Sequence, residues 1–320
     1  MTIKEQILSV LEQNKGKSVS GEQLANMLFC SRNAVWKAVK VLQNEGYAIE
    51  AVTKKGYCLS KENTILSPQS VEPYLEFPLR ILTVPEVDST NNELKKMAEA
   101  GEPEGTVLVA NRQTGGKGRM GRQFFSPGDS GLYMSVLLRP KLSAEDALLI
   151  TTAAAVAVAK AIEALSGKKA GIKWVNDIFV DGKKVCGILT EAAVDFESGG
   201  LQYAVLGIGI NVCPPTGGFP PAVRDVAGAV FKNQIGDIKS RLCAGVLNHF
   251  FEIYQMLAEK RFMQEYQASS IVIGKRVTVV KGESEAQALV KGIDDNANLI
   301  VQYDDGSVKT LSSGEIRIKM

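Results

Sequence analysis

The 320-residue chain is poor in the residues on which many hydrolases and metalloproteins depend. Its one histidine, His249, sits in an apolar helical pattern, so a Ser-His-Asp hydrolase is excluded. Its five cysteines contain no Cys-x-x-Cys pair, which disfavours a zinc site and a disulfide framework. This cysteine usage predicts a reducing cytoplasm and no tightly bound metal. Chemistry must therefore use carboxylates, lysine, arginine and backbone groups.

Long apolar runs are also absent. None approaches the ~20 residues that span a bilayer, and the N-terminal residues 1–6 lack the apolar core of a signal peptide. With 45% hydrophobic and 22% charged residues, the composition is that of a globular chain with room for two or three domains. We therefore expect a soluble cytoplasmic protein with no membrane partner.

The stretch Gln113–Arg122 is the most distinctive in the sequence. It holds four glycines and three basic residues in ten positions, between two apolar runs. Glycines let backbone N–H groups converge on an anion, while Lys117, Arg119 and Arg122 would neutralise its charge. The spacing fits neither a Walker phosphate loop nor a Gly-x-Gly-x-x-Gly motif that opens a helix. A solvated basic hairpin loop is the alternative interpretation of this stretch taken alone.

The first 60 residues predict a helix-turn-helix followed by a β-hairpin wing. Apolar residues recur at helical spacing over Ile3–Leu11, a capping box at Ser20–Gln23 opens a second helix, and Ser31 caps a third. Two short β-prone runs then flank a turn at Thr53–Gly56. The third helix carries basic and amide side chains at its N-terminal end, which is typical of a DNA-recognition helix.

We expect this winged helix to bind DNA through its third helix and the tip of its wing. Residues 1–60 carry eight basic and five acidic side chains, so their net charge is +3, which is modest for a DNA-binding unit. Tight binding at physiological salt would need two copies. Use of the same fold for protein contacts is the alternative. The expected DNA contacts are Ser31, Arg32, Asn33, Trp36, Lys37, Lys40, Lys54 and Lys55.

A linker with three prolines is predicted at 61–78, and from Arg80 strands and helices alternate. Helices are expected at 88–100, at Leu148–Leu165 and at Ile238–Met263, and the second of these is apolar nearly all round and should be central. Residues 213–225, with four prolines and two glycines, predict a mobile loop. The expected strands are Arg80–Val87, Thr106–Ala110, Leu132–Arg139, Ile172–Trp174, Asp177–Val180, Val185–Glu191 and Leu201–Val212.

The last fifty residues predict a small β-barrel. Short β-prone runs alternate with Asp-Asp-Asn and Asp-Asp-Gly turns. Seven basic and seven acidic side chains give this region no net charge, so a second nucleic-acid surface is not expected. The expected strands are Val277–Val280, Ala286–Ile293, Leu299–Tyr303 and Lys309–Ile318.

Five motifs, in order along the chain, resemble those of the biotin–protein ligases. Each would be weak alone, but the order of all five is specific, and the resemblance covers the whole chain. The N-terminal helix-turn-helix is what the bifunctional bacterial members, the biotin operon repressors, add to the ligase. The motifs are Ser89-Thr-Asn91, Gly116-Lys-Gly-Arg-Met-Gly-Arg122, Lys173-Trp-Val-Asn-Asp177, Lys184-Val-Cys-Gly-Ile-Leu-Thr-Glu191 and Gly207-Ile-Gly-Ile-Asn-Val212.

The resemblance implies an α+β fold of three domains. A winged helix-turn-helix would occupy residues 1–65, and a central α/β ligase domain with a mixed sheet and helices would occupy 66–268. A small SH3-like β-barrel would occupy 269–320.

The resemblance also implies two functions. The enzyme would activate biotin with ATP and Mg²⁺ to biotinyl-5′-AMP, and would transfer biotin to a lysine of a biotin carboxyl carrier domain of the acetyl-CoA carboxylase type. With biotinyl-5′-AMP as corepressor it would form a homodimer, bind operator DNA and repress biotin genes. A non-catalytic winged-helix effector sensor and a lipoate-type protein ligase are the alternatives.

The resemblance places biotin's ureido ring against Ser89, Thr90 and Gln113, and its thioether ring against the strand with Gly207 and Gly209. The implied catalytic residues are Lys184, Arg119 and Asp177, with Asp177 orienting the acceptor lysine or another cationic group. The implied biotin contacts are Ser89, Thr90, Asn91, Gln113, Lys117, Gly118, Arg119, Lys184, Gly207 and Gly209. The implied ATP contacts are Lys117, Arg119, Arg122, Asn176, Lys184 and Asn211, and Phe124 and Phe219 are candidates to stack on adenine.

Two positions depart from the family's pattern. Lys117 stands where the family commonly has arginine, so the charge is kept but bidentate geometry is lost. Val175 stands where proline is common, which removes a constraint on φ but leaves Lys173, Asn176 and Asp177 in place. We expect altered ligand contacts at Lys117 and retained activity.

Overall fold

The computed structural model describes residues 1–52, 55–128, 130–143, 146–195, 199–233, 236–281 and 284–318. The chain divides into two compact units, one formed by Met1–Leu75 with Asn233–Ala244, the other by Glu76–Lys232 with Gly245–Met320.

The first unit begins with three helices, α1 (Ile3–Gln13), α2 (Gly21–Met27) and α3 (Arg32–Asn44). Each starts where the sequence predicted, because a hydroxyl side chain accepts a hydrogen bond from a backbone N–H of the first turn. The hydroxyls of Thr2 and Ser20 do so within full capping boxes. The apolar faces of the three helices meet in one core, in which Ile7, Leu24 and Leu42 are fully buried.

A β-hairpin follows the third helix and confirms the predicted wing. Strands β1 (Ile49–Val52) and β2 (Gly56–Leu59) are antiparallel, with Val52 opposite Gly56. A short helix, α4 (Pro68–Val71), lies in the predicted linker, and its Ser70 hydroxyl meets the Ser240 hydroxyl at 2.9 Å in a buried contact.

The second unit is built on a seven-stranded mixed sheet in the order β3-β4-β5-β9-β8-β7-β6. Only β3 and β4 pair in parallel, and the other neighbours are antiparallel. The strands are β3 (Arg80–Val87), β4 (Thr106–Gln113), β5 (Gly131–Leu138), β6 (Gly171–Lys173), β7 (Asp177–Val180), β8 (Lys183–Val194) and β9 (Leu201–Asn211).

Two helices follow the first strands of this sheet, α5 (Thr90–Glu99) and α6 (Ala147–Ser166). By length and composition α6 could cross a membrane, since its mean hydropathy is 1.8, but 72% of that apolar window is buried inside the protein. It is therefore the central core helix that its all-round apolar pattern predicted.

The prediction of one helix over Ile238–Met263 is wrong in its last nine residues. Helix α7 (Ile238–Tyr254) ends nine residues earlier, and a 3-10 turn precedes a separate helix, α8 (Met263–Ala268). Lys260 takes a left-handed φ of 56°, which ends the helical path between them.

The C-terminal part is a five-stranded antiparallel sheet in the order β13-β12-β11-β10-β14. The predicted strand Lys309–Ile318 is two strands separated by a bend at residues 312–313, and these two strands form opposite edges of the sheet. The strands are β10 (Arg276–Lys281), β11 (Ser284–Ile293), β12 (Leu299–Tyr303), β13 (Val308–Leu311) and β14 (Glu315–Ile318).

Candidate functional site

The glycine-rich segment leaves the end of β4 and folds back as a tight hairpin loop. Gly118 N–H donates to the Arg122 carbonyl at 2.7 Å, and Phe124 N–H donates to the Gly116 carbonyl at 2.8 Å. A Cβ on Gly116 would lie 2.5 Å from the Phe124 carbonyl oxygen, so only glycine fits there. The segment is therefore a hairpin loop, as the alternative interpretation of this stretch held. The side chains of the loop, however, line a cavity.

A small inner cavity lies on the mixed sheet beside this loop. It brings together seven of the ten residues predicted to contact biotin, which come from the start of α5, from β4 and β9, and from the loop. The lining residues are Ser89, Thr90, Asn91, Gln113, Lys117, Phe124, Met134, Gly187, Leu189, Gly207, Ile208 and Gly209.

One wall of the inner cavity is a neutral hydrogen-bonded network. Gln113 Oε1 accepts from Thr90 N–H at 2.9 Å, and Gln113 Nε2 donates to Ser126 Oγ at 3.0 Å. Ser135 Oγ lies 2.7 Å from Thr90 Oγ1 and 2.6 Å from Asn91 Oδ1. Because each of these groups is held by its neighbours, the wall presents fixed donors and acceptors without net charge.

Ser89 occupies the N-cap position of α5 and is 1% exposed, but its side chain makes no capping hydrogen bond. Capping therefore does not explain why serine stands at this position. Its hydroxyl lines the inner cavity instead.

The two glycines of β9 create space for larger side chains. A Cβ on Gly207 would lie 2.3 Å from Asn91 Oδ1, and a Cβ on Gly209 would lie 2.6 Å from the Phe124 ring. At these two glycines the side chains of Asn91 and Phe124 therefore approach the backbone of β9 closely. The Phe124 ring also packs edge-to-face on Tyr133, at 6.4 Å between centroids.

A larger outer cavity shares Lys117, Phe124, Gly187 and Leu189 with the inner one. The two cavities are therefore adjacent. The outer cavity has five cationic side chains and one carboxylate on its walls. These are Lys117, Arg119, Arg122, Lys173 and Lys184, with Asp177.

Lys184 and Asp177 form the closest ion pair in the outer cavity. Lys184 Nζ lies 2.6 Å from Asp177 Oδ1, and both side chains are less than one-third exposed. The backbone of Lys184 is fixed as well, because its N–H donates to the Val226 carbonyl and its carbonyl accepts from Gly228 N–H, both at 2.8 Å. The proline-rich segment thus ends beside the lysine, and Asn211 Nδ2 donates to the Gly228 carbonyl at 2.9 Å.

Arg119 links the glycine-rich loop to two other parts of the unit. Its guanidinium lies 3.3 Å from Asn176 Oδ1 and 3.4 Å from the Gly314 carbonyl oxygen. Gly314 and Ile316, from the C-terminal sheet, also line the outer cavity, which the sequence did not predict. Within the same motif as Asn176, Trp174 has a structural role, since its buried indole N–H donates to the Ala297 carbonyl at 2.8 Å.

Glu191 is a charged neighbour of the inner cavity whose role the sequence did not reveal. It accepts hydrogen bonds from Lys95 and, at 2.8 Å, from Asn91 Nδ2, and it lies 3.6 Å from Lys117 Nζ. Burial alone would raise the pKa of the Glu191 carboxyl, but the hydrogen bonds from Lys95 and Asn91 and the two lysine charges lower that pKa below its usual value.

We expect Glu191→Gln to lower the free energy of unfolding by about 1 kcal/mol at pH 7, through loss of a partly buried ion pair. The pKa is lower in the folded than in the unfolded state. The variant therefore loses the whole of this stabilisation above pH 4.5, which is the pKa of the carboxyl in the unfolded state. The loss disappears as the pH falls through the lower pKa of the folded state. Urea unfolding at pH 7, 5 and 3.5 measures it. Glu86→Gln, at an exposed pair with Arg112, is the control and should cost much less. An equal loss at all three pH values would contradict this assignment.

The described residues offer no nucleophilic thiol in the cavity and no group of three His, Cys, Asp or Glu side chains placed to hold a metal ion. Cys186 precedes the cavity residue Gly187 but is fully buried, and burial raises the pKa of its thiol. The site can bind and neutralise anions, and it can align a neutral polar group with them.

A second candidate surface lies on the first unit. The expected DNA contacts on α3 are all solvent-exposed, and Ser31 also caps the helix by accepting from Ala34 N–H at 3.1 Å. Lys55, at the wing, is exposed too, whereas Lys54 lies outside the described residues. The exposed α3 residues in this set are Ser31, Arg32, Asn33, Trp36, Lys37 and Lys40.

Three stretches of the chain match known protein families. Residues 84–211 match the Biotin/lipoate A/B protein ligase family, residues 4–58 match an HTH domain, and residues 272–318 match the Biotin protein ligase C terminal domain.

The chain is also similar to whole proteins. It is 33% identical to the bifunctional ligase/repressor BirA of Bacillus subtilis (strain 168), with 99% of each chain covered. It is 27% identical to BirA of Escherichia coli (strain K12), over 95% of this chain and 94% of the other. The solved biotin protein ligase from Aquifex aeolicus in complex with biotin and ATP has a TM-score of 0.61 and 26% identity, over 76% of this chain and 99% of its own.

Proposed function

The chain belongs to the biotin–protein ligases, with the bifunctional ligase/repressors, and from this premise we propose that it both ligates biotin and regulates transcription. The ligase joins biotin to AMP and then to a lysine of a carrier protein. The repressor binds operator DNA with biotinyl-5′-AMP as corepressor. Both activities take place in the cytoplasm.

The observation that carries the ligase function is the junction of the two cavities. One wall of the inner cavity is neutral and hydrogen-bonding, which suits a ureido group, and the outer cavity is strongly cationic, which suits ATP. The ureido ring is assigned to Ser89, Thr90 and Gln113, and the thioether ring to the strand with Gly207 and Gly209. Biotin's carboxylate then reaches Lys117, which borders both cavities.

In the first step a carboxylate oxygen of biotin attacks the α-phosphorus of ATP, and pyrophosphate leaves. Two anions must approach each other, so catalysis consists of positioning and charge neutralisation. Lys117, Arg119 and Lys184 supply the positive charge, and Arg122 extends it along the phosphates. ATP enters as its Mg²⁺ complex, with Asn176 and Asn211 assigned to that side of the cavity.

In the second step the amine of the carrier lysine attacks the acyl carbon of the mixed anhydride, AMP leaves, and the amine loses a proton. Asp177 is assigned to orienting this lysine. Its ion pair with Lys184 supports the assignment, because the carboxylate already binds an ammonium group at 2.6 Å. The acceptor is a biotin carboxyl carrier domain of the acetyl-CoA carboxylase type.

Pyrophosphate exchange tests the ligase function and its substrate. With labelled pyrophosphate, ATP should become labelled in the presence of biotin and not of lipoate. Exchange with lipoate alone would make the protein a lipoate-type ligase. Absence of exchange with either acid, together with biotin-dependent DNA binding, would make it a non-catalytic effector sensor.

Removal of residues 1–62 should abolish DNA binding and leave biotin-dependent exchange within about twofold of the full chain, because these residues hold the three helices and the wing but none of the residues that line the two cavities. The cut spares Ser70 and its buried contact with Ser240. The Aquifex ligase supports the expectation, since a chain matching 76% of this one binds biotin and ATP. Exchange and DNA binding are measured on both proteins, with circular dichroism as the folding control. A folded truncation that no longer forms adenylate would contradict the separation.

A further inference from the structure

Phe29 is the most exposed large apolar side chain of the described residues, at 98%. It lies in the turn between α2 and α3, where Leu28 and Cys30 on either side pack against the core of the first unit. Cys30 N–H donates to the Ala25 carbonyl at 3.0 Å and fixes the turn. The chain therefore directs one residue outward at this point, and that residue is an aromatic ring.

The backbone makes phenylalanine a costly choice here. Phe29 has a φ of 51°, in the left-handed region that glycine and asparagine adopt readily and other residues avoid. Its ring gains no burial in return. The left-handed backbone and the exposed ring both cost free energy in the folded protein. Their combination at Phe29 indicates that the ring contacts another molecule.

The surroundings of Phe29 favour DNA as the partner. Phe29 lies two residues before Ser31, the cap of the recognition helix, and Trp36, itself 50% exposed, lies one helical turn into that helix. No acidic residue occurs between Glu22 and Glu45, while Arg32, Lys37 and Lys40 occur within that interval. An exposed apolar ring in an interval whose charged residues are all cations matches a polyanion that carries apolar groups. In the major groove of DNA those groups are the 5-methyls of thymine.

We propose that Phe29, together with Trp36, contacts thymine methyl groups in the operator, so that part of the sequence is read by apolar contact. The proposal rests on the repressor function given above. It makes Phe29 a specificity-determining residue, distinct from the lysines, which bind phosphates without regard to sequence.

The test uses two variants that keep the turn. Phe29→Asn tolerates the left-handed backbone but lacks the ring, and Phe29→Tyr keeps the ring. With biotin and ATP, the full-length protein selects its sites from a random duplex library. The selected site is then remade with deoxyuridine in place of each thymidine, which removes only the methyl groups. Pyrophosphate exchange and thermal unfolding monitor the fold.

Phe29→Asn should lose about tenfold in affinity for the selected site, with no change in the slope of log K against log salt. Phe29→Tyr should lose less than about threefold. The critical deoxyuridine should cost the wild type about threefold and Phe29→Asn nothing, because the contact is already missing.

Two outcomes overturn the proposal in different ways. If the wild type selects a motif and Phe29→Asn selects the same motif with the same affinity, the ring does not read DNA and serves another partner. If the wild type selects no motif at all, the repressor function fails, and the assignment of Phe29 fails with it.

Discussion

Arg119→Ala and Lys184→Ala are each expected to slow adenylate formation by about 30- to 1000-fold. Each change removes a charge-assisted contact to a transition state in which two anions meet, a loss of roughly 2 to 4 kcal/mol in a site shielded from water. Arg119 is held from two sides, by Asn176 and by the Gly314 carbonyl, and Lys184 by Asp177. Their positions are therefore set before substrate binds, which is what makes such charges effective.

The measurement is biotin-dependent ATP–pyrophosphate exchange at saturating biotin and ATP, with the two KM values determined for each variant. Arg112→Ala and Lys168→Ala are matched controls, because each removes an exposed cation that pairs with a carboxylate outside the two cavities. Arg119→Lys separates charge from geometry, since lysine restores the charge but not the planar fork. Rates close to the wild type in both alanine variants would remove these residues from the mechanism.

The parts of the fold that the sequence predicted best have both a strong pattern and a clear stop signal. Strand β3 (Arg80–Val87) is bounded by Pro78 and by Asp88-Ser89, and the prediction matches its limits. Helix α7 was predicted nine residues too long because no glycine or proline occurs between Tyr254 and Met263. The chain turns there through a lysine in the left-handed conformation, which local pattern does not signal.

The candidate site was likewise predicted from the sequence only in part. The glycines and basic residues of the central loop stand out because their composition is unusual over ten positions. Ser135 could be seen as the one serine within the apolar strand Gly131–Leu138, but its partners Thr90 and Asn91 are 45 and 44 residues away. Gly314 is 195 residues from Arg119, the residue that its carbonyl contacts. Pairings of this kind depend on strand order, which the sequence pattern leaves open.

Repression and ligation are expected to be linked through the charge of the outer cavity. Lys117, Arg119 and Lys184 lie on its walls with Asp177 as the one carboxylate among the lining residues described. A bound adenylate would neutralise part of this positive charge and fix the backbone of the glycine-rich loop. We predicted residues 213–225 to form a mobile loop. In the structure this segment contains defined turns, such as the one in which Gly218 N–H donates to the Pro215 carbonyl at 2.8 Å, and a bound nucleotide would stabilise them further.

The second large effect is therefore on assembly and DNA binding. Biotin with ATP should shift the protein from monomer to dimer and tighten operator binding by about 5- to 150-fold, the usual range for coupling between two sites. ATP alone should do neither. The physical reason is that one N-terminal unit carries a net charge of only +3 over residues 1–60, so strong binding needs two copies acting together. Sedimentation velocity with and without both substrates measures the assembly, and a titration of operator DNA at fixed salt measures the affinity.

Arg119→Ala provides the control that connects the two effects. If the adenylate is the signal, this variant should remain monomeric with biotin and ATP but should dimerise when biotinyl-5′-adenylate is added at concentrations high enough to offset its weaker binding. A wild-type protein that is fully dimeric without ligand would remove dimerisation as the switch. If operator affinity does not change with biotin and ATP, only the ligase function remains. The DNA-binding units, each with a net charge of +3 over residues 1–60, would then receive no signal from the cavity that makes the adenylate.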